Sequence, residues 1–428
     1  MKSVGDIYPY IRGHRVTTDS RHILPGDVFV ALRGEHYDGN RFAASALQKG
    51  ASLAIIDNPE YQIPGCELVS DCLLFLQQLA HFHRRRLGVP IIGITGTNGK
   101  TTTKELCHAV LSMKFNTVAT EGNFNNHIGV PLTLLRMDES TEFGIVEMGA
   151  NHPGEIRELC DIADPDMGII TNIGQAHLEG FGSYENIILT KKALYDHVFC
   201  KDGEVFVNAG DSLLLQLSEG HRRLTYGMAG DFIRGEVRQT VPYMVFSLLL
   251  PKGQLYVKTR MVGGYNFENA MAATALGLHF GIDPLKIREA IEDYRPSNLR
   301  SQLLKTDANT VILDAYNANP SSMRVAIDNF MEMPGRHKVL ILGEMRELGQ
   351  SSSDAHREIV RLAEEGHFDL IFLIGDNFKH CSDGCDSIAW FPDTEAFISE
   401  LRKNPLTDAF ILVKGSRGNR LERVVEYL

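Results

Sequence analysis

Short apolar runs recur along the chain, and most are followed by Gly, Asn or Asp and then by a segment with helical spacing of apolar positions. Alternation of strand, loop and helix is typical of a parallel sheet with helices on both faces. The predicted strands are 28–32, 53–56, 91–95, 144–148, 168–171, 205–207, 310–314, 339–342, 369–374 and 409–413. Helices are predicted over 41–49, 72–87 and 100–113. The pattern therefore predicts an α/β protein.

Two breaks in this pattern divide the chain into three predicted domains. A charge cluster ends at Arg86, shortly before Pro90, and the stretch 295–298 separates the middle alternation from the last one. We expect a small α/β domain over 1–86, a central domain with a mainly parallel sheet over 87–296, and a Rossmann-like domain over 297–428. The chain has 428 residues, which exceeds what a single core supports.

Composition narrows the class of protein. The net charge of −11 argues against a nucleic-acid binder, although a local cationic site for an anionic substrate stays possible. No apolar run approaches the roughly 20 residues of a membrane helix, and the first ten residues carry acid and proline where a secretion signal would be apolar. Seven scattered cysteines indicate a reduced, cytoplasmic protein. Cys381 and Cys385 lack a partner pair, so two free thiols are favoured over a zinc site.

The most specific motif is a Gly-rich loop between a predicted strand and a predicted helix. Its glycines let backbone N–H groups turn around phosphate oxygens, and the helix start adds partial positive charge. The generic pattern has Gly six places before the Lys, where this chain has Ile94, so the loop is a variant P-loop. The expected ATP contacts are Gly96, Thr97, Asn98, Gly99, Lys100, Thr101 and Thr102.

A P-loop predicts a nucleotide and leaves the reaction open, since motors, switches, kinases and ligases all use one. Glu147 ends the predicted strand 144–148, where a carboxylate beside a P-loop is placed to ligate Mg²⁺ with the Thr101 hydroxyl. An exposed strand-end acid would give the same spacing. His177 follows the next strand, and a lone His there is equally compatible with a structural role.

The loop wording Thr95-Gly-Thr-Asn-Gly-Lys-Thr-Thr102 resembles the Mur ligase family, and the resemblance extends over essentially the whole chain. Four further stretches carry it, namely 18–39, 120–131, 314–323 and 413–417. They are similar to members that join D-alanyl-D-alanine to a UDP-N-acetylmuramoyl tripeptide in peptidoglycan synthesis. The resemblance implies a UDP-sugar domain, an ATPase domain and a Rossmann-like domain. It also implies an acyl-phosphate intermediate and release of ADP.

The resemblance also assigns a catalytic and metal set. It implies Mg²⁺, with two ions, held by Thr101, Glu147, His177 and a carbamylated lysine. In the family this lysine precedes an aromatic residue by four positions, which selects Lys191, before Tyr195, over Lys192. Without the resemblance, Lys191 would be interpreted as a surface residue of a helix. The implied catalytic residues are Lys100, Glu147, His177, Lys191 and Arg300.

Substrate contacts are implied in the same way. Asn269 matches an adenine contact, Arg300 an arginine that reaches the γ-phosphate, and Asp314 a ribose contact. Tyr265 stands where the family usually has His, so its role is open. The residues expected to bind the UDP-sugar and its peptide are Ser20, Arg21, Asn123, Asn125 and Asn126.

The last domain is expected to close over ATP and the dipeptide. The predicted closure residues are Asn317, Asn319, Lys414 and Arg417. Asn317 and Asn319 equally fit an Asx turn that precedes a helix with Ser321 as N-cap. Lys414 and Arg417 suit a peptide carboxylate, and they also suit a surface charge pair.

Three functions are therefore compared. The first is the ligase that adds D-alanyl-D-alanine, acting as a monomer on small-molecule substrates. The second is another Mur-family ligase, either for a different peptide step or of the folylpolyglutamate type. The third is a P-loop ATPase that does not ligate, which would need neither the modified lysine nor the UDP-sugar segment.

Overall fold

A computed structural model describes residues 2–379, 381 and 387–428 of the chain. The described residues form three sheets in succession along the sequence, together with a short hairpin. Each sheet is covered by helices of the same segment, which confirms the expected three-domain α/β architecture. The domain boundaries after residues 86 and 296 remain predictions.

The first sheet is parallel, with strand order β1-β2-β5-β6. Its strands are β1 (Val16–Thr17), β2 (Val28–Val30), β5 (Leu53–Ile56) and β6 (Cys66–Leu68), and the hairpin pairs β3 (Arg33–Gly34) with β4 (Tyr37–Asp38). The helices are α1 (Val4–Ile11), α2 (Ala43–Gln48) and α3 (Cys72–Leu87). Strand β2 is buried throughout, as its unbroken apolar run predicts for a parallel sheet covered on both faces.

The central sheet has the order β15-β14-β13-β12-β11-β10-β7-β9-β8. Its strands are β7 (Ile91–Thr95), β8 (Thr117–Ala119), β9 (Phe143–Glu147), β10 (Met167–Ile170), β11 (Glu204–Asn208), β12 (Arg223–Gly227), β13 (Ile233–Gln239), β14 (Val245–Leu250) and β15 (Gly253–Lys258). Strands β7 to β13 pair in parallel, whereas β13, β14 and β15 form an antiparallel ribbon that we did not predict. The mainly parallel character is therefore confirmed.

Helices cover both faces of the central sheet. They are α4 (Lys100–Leu111), α5 (Gly129–Leu134), α6 (Glu155–Ala163), α7 (Leu178–Phe181), α8 (Tyr184–Phe199), α9 (Ser212–Leu217), α10 (Asn266–His279) and α11 (Pro284–Asp293). Helix α10 is the most deeply buried, because its small residues allow α4 to pack closely against it. Gly277 lies at this contact, where a Cβ atom would stand 2.5 Å from a Val110 methyl carbon.

The last sheet has the order β16-β17-β21-β18-β19-β20, parallel except for β16. Its strands are β16 (Gln302–Lys305), β17 (Thr310–Asp314), β18 (Lys338–Gly343), β19 (Leu370–Ile374), β20 (Ile388–Phe391) and β21 (Phe410–Lys414). Its helices are α12 (Pro320–Glu332), α13 (Ser352–Glu365) and α14 (Thr394–Lys403). Helix α12 begins at Asn319, whose side chain accepts the Ser322 N–H, so the expectation that Ser321 is the N-cap is wrong.

No helix in the described ranges is long and apolar enough to cross a membrane. The cysteines that the structure describes are free thiols. Cys381 is one of them, whereas Cys385 lies outside the described residues. The prediction of two free thiols is therefore tested only at Cys381.

Helix α3 attaches the first sheet to the central one, because it packs on α1 and also on α5 and α6. Arg84 lies buried at this junction. Its guanidinium donates hydrogen bonds to the carbonyl oxygens of Ala163 and Asp164 at 3.1 and 2.7 Å, and to the Asp166 carboxylate at 2.7 Å. One side chain thus satisfies the carbonyl groups that end α6.

Replacing Arg84 by Met should lower the midpoint temperature of thermal unfolding. The C-terminal carbonyl groups of α6 and the Asp166 carboxylate would lose a buried charged partner worth about 3 kcal/mol. Differential scanning calorimetry measures this change. Arg85→Met is the matched control, since the Arg85 side chain is 64% exposed and its ion pair with Asp164 should contribute under ~1 kcal/mol. Equal midpoints for the two variants would contradict the assigned role of Arg84.

Candidate active site

The Gly-rich loop lies at the point where the order of the central strands reverses. Strand β7 lies between β9 and β10, so the strand ends at Thr95, Glu147 and Ile170 are adjacent. Crevices at such reversal points are where open α/β sheets bind ligands. The sequence-predicted P-loop, Glu147 and the segment leading to His177 therefore all start from one edge of the sheet.

At two positions of the loop, a residue larger than glycine would clash with a neighbouring side chain. Gly96 has a φ of 148°, and a Cβ atom there would lie 1.9 Å from the Thr171 hydroxyl oxygen. Gly99 has a φ of 80°, and its Cβ would lie 2.6 Å from the Asn269 side-chain oxygen. The loop is thus pressed between the β10 end and helix α10, and only glycine fits at its two turning points.

The segment after β10 holds the loop in place. Thr97 N–H donates to the Asn172 carbonyl at 2.9 Å, and Asn98 N–H donates to the Asn172 side-chain oxygen at 3.0 Å. The Thr171 hydroxyl donates to the Asn98 carbonyl at 2.6 Å. We did not single out Thr171 or Asn172 from the sequence, although their position directly after a buried strand was a usable signal.

Two lysines converge on one backbone carbonyl. The ammonium groups of Lys100 and Lys191 donate to the Gly96 carbonyl at 2.8 and 3.1 Å. Burial lowers the pKa of Lys100 to about 8, and the Arg300 charge adds to this against the opposing effect of Glu147. Burial also lowers the pKa of Lys191 to about 7, with a further contribution from Lys100. Lys191 is therefore a buried residue and not part of a solvated helix face.

Glu147 is buried beside the loop. Its Oε1 accepts hydrogen bonds from the Thr101 hydroxyl at 3.2 Å and from the Asn125 amide at 2.8 Å. Its Oε2 is also buried and has no hydrogen-bond partner in the part of the chain that the structure describes. A buried carboxylate oxygen without a partner is unfavourable unless a cation or a donor meets it. This oxygen and the adjacent hydroxyl suit a hard divalent cation.

His177 lies at the N-terminus of α7 with a φ of 53°. Its Nδ1 is hydrogen-bonded to the Glu347 carboxylate of the last domain. Burial lowers the pKa of His177, and the charges of Lys100 and Lys191 contribute, whereas Glu347 opposes the shift. His177 lines the same cavity as Lys100, and its role as a metal ligand stays a prediction. Glu347 had no sequence signal, because the contact joins residues 170 positions apart.

Arg300 enters the same cavity from the linker before the last domain. Its guanidinium lies 4.0 Å from the centre of the Tyr316 ring, a cation–π contact, and its Nε is buried without a hydrogen-bond partner among the described residues. Asp314 lines the cavity at the end of β17 and accepts a hydrogen bond of 2.6 Å from the buried Lys414 ammonium. Lys414 is therefore committed to Asp314 in this structure.

The loop after β17 contacts the P-loop directly. The Asn319 amide donates to the Asn98 side-chain oxygen at 2.9 Å, and the Asn98 amide donates to the Ser321 hydroxyl at 2.9 Å. Asn319 also caps α12, as the Asx interpretation predicts, whereas its role in closure over the substrates stays a prediction. The Asn317 side chain accepts from the Ala318 N–H at 2.9 Å and lines the cavity.

The other predicted residues divide into two groups. Asn269 accepts from the Thr103 hydroxyl at 3.0 Å under the loop, and Thr102, Asn123, Asn125 and Asn126 line the cavity. Five predicted residues do not line it, namely Ser20, Arg21, Gly96, Lys191 and Arg417. Arg21 pairs with Asp19, and Arg417 with Glu422 at 3.1 Å.

A single cavity of about 740 Å³ connects these groups. Its walls come from the P-loop, the β9 and β10 ends, the start of α10 and the loop after β17. Lining residues that we did not single out from the sequence include His127, His152, Glu155, Glu158 and Ser322. They belong to loops and helix starts whose side chains meet only through the tertiary fold.

The sequence that forms this site is similar to that of known proteins. Residues 94–277 match the Mur ligase middle domain, 299–417 the Mur ligase glutamate ligase domain, and 12–73 the Mur ligase family catalytic domain. A UDP-N-acetylmuramoyl-tripeptide–D-alanyl-D-alanine ligase of Bacillus subtilis (strain 168) is 35% identical, over 97% of this chain and 93% of its own length. The chain belongs to the Mur ligase family. A ligase of the same name from Escherichia coli (strain K12) is 33% identical to this Mur ligase, over 96% of this chain and 93% of its own length.

Solved structures agree with the family assignment. A MurF crystal structure from Acinetobacter baumannii matches this Mur ligase with a TM-score of 0.88 and 30% identity, over 99% of this chain and 98% of that one. A MurF ligase from Thermotoga maritima in complex with ADP matches with a TM-score of 0.83 and 26% identity, over 100% and 98%. The resemblance inferred from the sequence motifs is confirmed.

The lowered pKa of Lys191 predicts a pH-dependent stability. Between pH 7 and 10.5 the unfolded chain of this Mur ligase binds a proton on Lys191 that the native state does not, so stability rises with pH across that window. Lys191→Met should therefore raise the free energy of unfolding by roughly 2–4 kcal/mol at pH 6, and the gain should shrink toward pH 10.

Denaturant unfolding in CO₂-free buffers at several pH values measures this gain. Lys192→Met is the matched control on the same helix, because Lys192 is partly exposed and paired with Asp196. A gain for Lys191→Met that does not change with pH would contradict the burial of a titrating amine.

Proposed function

We propose that this Mur ligase joins D-alanyl-D-alanine to a UDP-N-acetylmuramoyl tripeptide, with hydrolysis of ATP to ADP and phosphate, and so completes the peptide of the peptidoglycan precursor. Full-length similarity to ligases of that name supports the proposal. The single observation that carries the chemistry is the cluster of buried cationic groups at the P-loop. Lys100 and Arg300 line the cavity beside the Glu147 carboxylate, and the buried Lys191 lies behind the loop, where it shares the Gly96 carbonyl with Lys100.

Such a cluster is suited to polyphosphate. Two like charges about 4 Å apart repel by roughly 4 kcal/mol at an effective dielectric constant of 20. The lowered pKa values of both lysines express this cost together with that of burial. The β- and γ-phosphates of ATP would relieve it, and the N–H groups of the Gly-rich turn would add hydrogen bonds at the start of α4.

The reaction requires two displacement steps. An oxygen of the peptide carboxylate attacks the γ-phosphorus of ATP, the bond to the β-phosphate oxygen breaks, and ADP leaves. The amine of D-alanyl-D-alanine then attacks the acyl carbon, phosphate leaves, and the amine nitrogen loses a proton. In this scheme Lys100 and Arg300 offset the charge that gathers on the transferred phosphoryl group. The cavity wall from the last domain excludes water, which would otherwise hydrolyse the acyl phosphate.

Mg²⁺ is part of the proposal. Glu147 Oε2 is a buried oxygen without a partner among the described residues, and the Thr101 hydroxyl contacts the other oxygen of the same carboxylate. These two residues fit one ion, whose other ligands would be phosphate oxygens and water, as Mg²⁺ prefers. Such an ion polarises the phosphoryl group. We also propose His177 and a carbamate on Lys191 for a second ion.

The carbamate on Lys191 follows from the neutrality of its amine. Carbon dioxide reacts only with the unprotonated amine, and burial brings the pKa of Lys191 to about 7. The nitrogen attacks the carbon of CO₂, loses a proton and becomes an anionic carbamate. This anion would remove one of the two adjacent positive charges and present oxygen ligands near His177.

We propose that the enzyme acts as a cytoplasmic monomer. The described cysteines are free thiols, which suits a reducing compartment.

A ligation assay tests the proposed function against a P-loop ATPase that does not ligate. ADP release, followed with a coupled enzyme assay, should require both a UDP-muramyl tripeptide and D-alanyl-D-alanine, because phosphoryl transfer needs the carboxylate and turnover needs the amine. Tripeptides with lysine or diaminopimelate at the third position, and dipeptides other than D-alanyl-D-alanine, form the panel. ADP release when one of the two co-substrates is left out, or when a single amino acid replaces the dipeptide, would overturn the proposal.

The modified lysine has its own test. Wild-type protein in ¹³C-bicarbonate should give a carbamate signal in its ¹³C spectrum, and Lys191→Ala should lose the signal together with at least about 10²-fold in ligation rate. Lys192→Ala, one residue further on the same helix, should keep both. A signal that persists in Lys191→Ala, or full activity in that variant, would refute the assignment.

A further inference from the structure

The linker between the central and last domains is held in a strained conformation around Arg300. Asn298, Leu299 and Ser301 have φ values of 59°, 60° and 47°. Left-handed backbone is uncommon outside glycine, and for a bulky residue such as Leu299 it is a marked departure. Strain of this kind costs of order 1–3 kcal/mol for each residue and persists only where the surroundings fix it. The surroundings of this linker are therefore informative.

The first half of the linker is fixed by helix α4. The Glu105 carboxylate accepts a hydrogen bond of 2.7 Å from the Tyr294 hydroxyl and one of 3.1 Å from the Asn298 amide. Because Glu105 lies one turn into the helix that begins at the P-loop, it ties the linker to the element that would hold the phosphates. This contact fixes the linker on the N-terminal side of Arg300.

The second half is fixed by Tyr265. Its hydroxyl and that of Ser301 share a hydrogen bond of 2.7 Å. The Tyr265 ring lies over Gly263, where a Cβ atom would stand 2.2 Å from a ring carbon, so the ring has little freedom to move. Burial, with the nearby Asp314 charge, raises the pKa of Tyr265, so the hydroxyl keeps its proton at neutral pH. Ser301 itself is only 8% exposed.

Arg300 therefore lies between two anchors. Its own side chain contributes little to its placement, since the Nε is buried without a partner among the described residues and the guanidinium stacks on Tyr316. A stacked guanidinium can slide over an aromatic face at little cost, so its position depends on where its backbone is held. The Tyr265 hydroxyl holds the side chain of the neighbouring Ser301, and this contact restrains the backbone next to Arg300.

We propose that Tyr265 is a positioning residue that acts through Ser301 to hold Arg300 at the reacting phosphate. The residue is a departure from the His that the family resemblance led us to expect, and the longer ring places a hydroxyl against the linker. The inference rests on the proposed function for the role of Arg300 at the γ-phosphate. It assigns Tyr265 no contact with the reacting atoms.

Tyr265→Phe and Ser301→Ala test the proposal by removing one hydroxyl each. Each should lower kcat about 3- to 10-fold, the effect of one lost hydrogen bond, and leave the KM for D-alanyl-D-alanine unchanged within about twofold. The double variant should be no worse than either single one. Tyr256→Phe is the matched control, since Tyr256 is an exposed tyrosine on β15, and it should keep the wild-type kcat.

The Arg300→Lys background separates positioning from a general loss of structure. If Tyr265 acts through Arg300, Tyr265→Phe should change kcat by less than about twofold in that background. An undiminished loss there, or wild-type kcat in both hydroxyl variants, would overturn the proposal. Circular dichroism checks folding, and Ser301→Ala carries the test alone if Tyr265→Phe does not fold.

A binding measurement keeps this proposal distinct from the proposed ligase function. Without co-substrates, calorimetry gives the Kd ratio between ADP and a non-hydrolysable ATP analogue, to which an arginine at the γ-phosphate contributes. Tyr265→Phe and Arg300→Lys should both bring this Kd ratio closer to one. If both variants change the ratio in this way but the wild-type protein does not ligate, the proposed function fails and the positioning role stands. If it ligates and Tyr265→Phe leaves the ratio unchanged, only the positioning role fails.

Discussion

The physical constraint behind this molecule is the close approach of two lysine ammonium groups to the Gly96 carbonyl. Lys191 is buried there and Lys100 is half-buried, and neither is hydrogen-bonded to a carboxylate among the described residues. The rest of the P-loop region is arranged so that this costly placement is kept. Thr171 and Asn172 hold the turn, α10 supports it from below, and α8 delivers Lys191 from the opposite face of the sheet. A protein that only needed a stable fold would gain from apolar residues at both lysine positions.

The same constraint explains why the last domain contacts the loop. Asn98 exchanges hydrogen bonds with Asn319 and Ser321, and His177 pairs with Glu347. Both contacts join the two domains at the edge of the sheet where the cationic groups lie. Because the helix start at Asn319 is a capping box, the residue that contacts the P-loop is also the residue that fixes α12. Except for Glu347, the residues that make these interdomain contacts also belong to the walls of the cavity.

The sequence predicted those parts that depend on local periodicity and on short motifs. Strands such as β5, β7 and β17 were predicted to within a residue, because an apolar run bounded by turn residues defines them. The antiparallel ribbon β13–β15 was missed. Its outer strands β13 and β15 carry mixed polar and apolar residues on a half-exposed surface, whereas β14 is an apolar run that we did not recognise as a strand. Contacts such as His177 with Glu347 could not be predicted, because they depend on how two domains meet and not on spacing within one element.

The Asn98 bridge has a consequence for inhibition. Its side-chain amide donates one hydrogen bond to the last domain and accepts one from it, which leaves one N–H and one lone pair unused. A compound that binds these groups and the Ser321 hydroxyl at the same time would hold the two domains together. Such a molecule would not need to resemble a purine, because its contacts would lie at the domain junction.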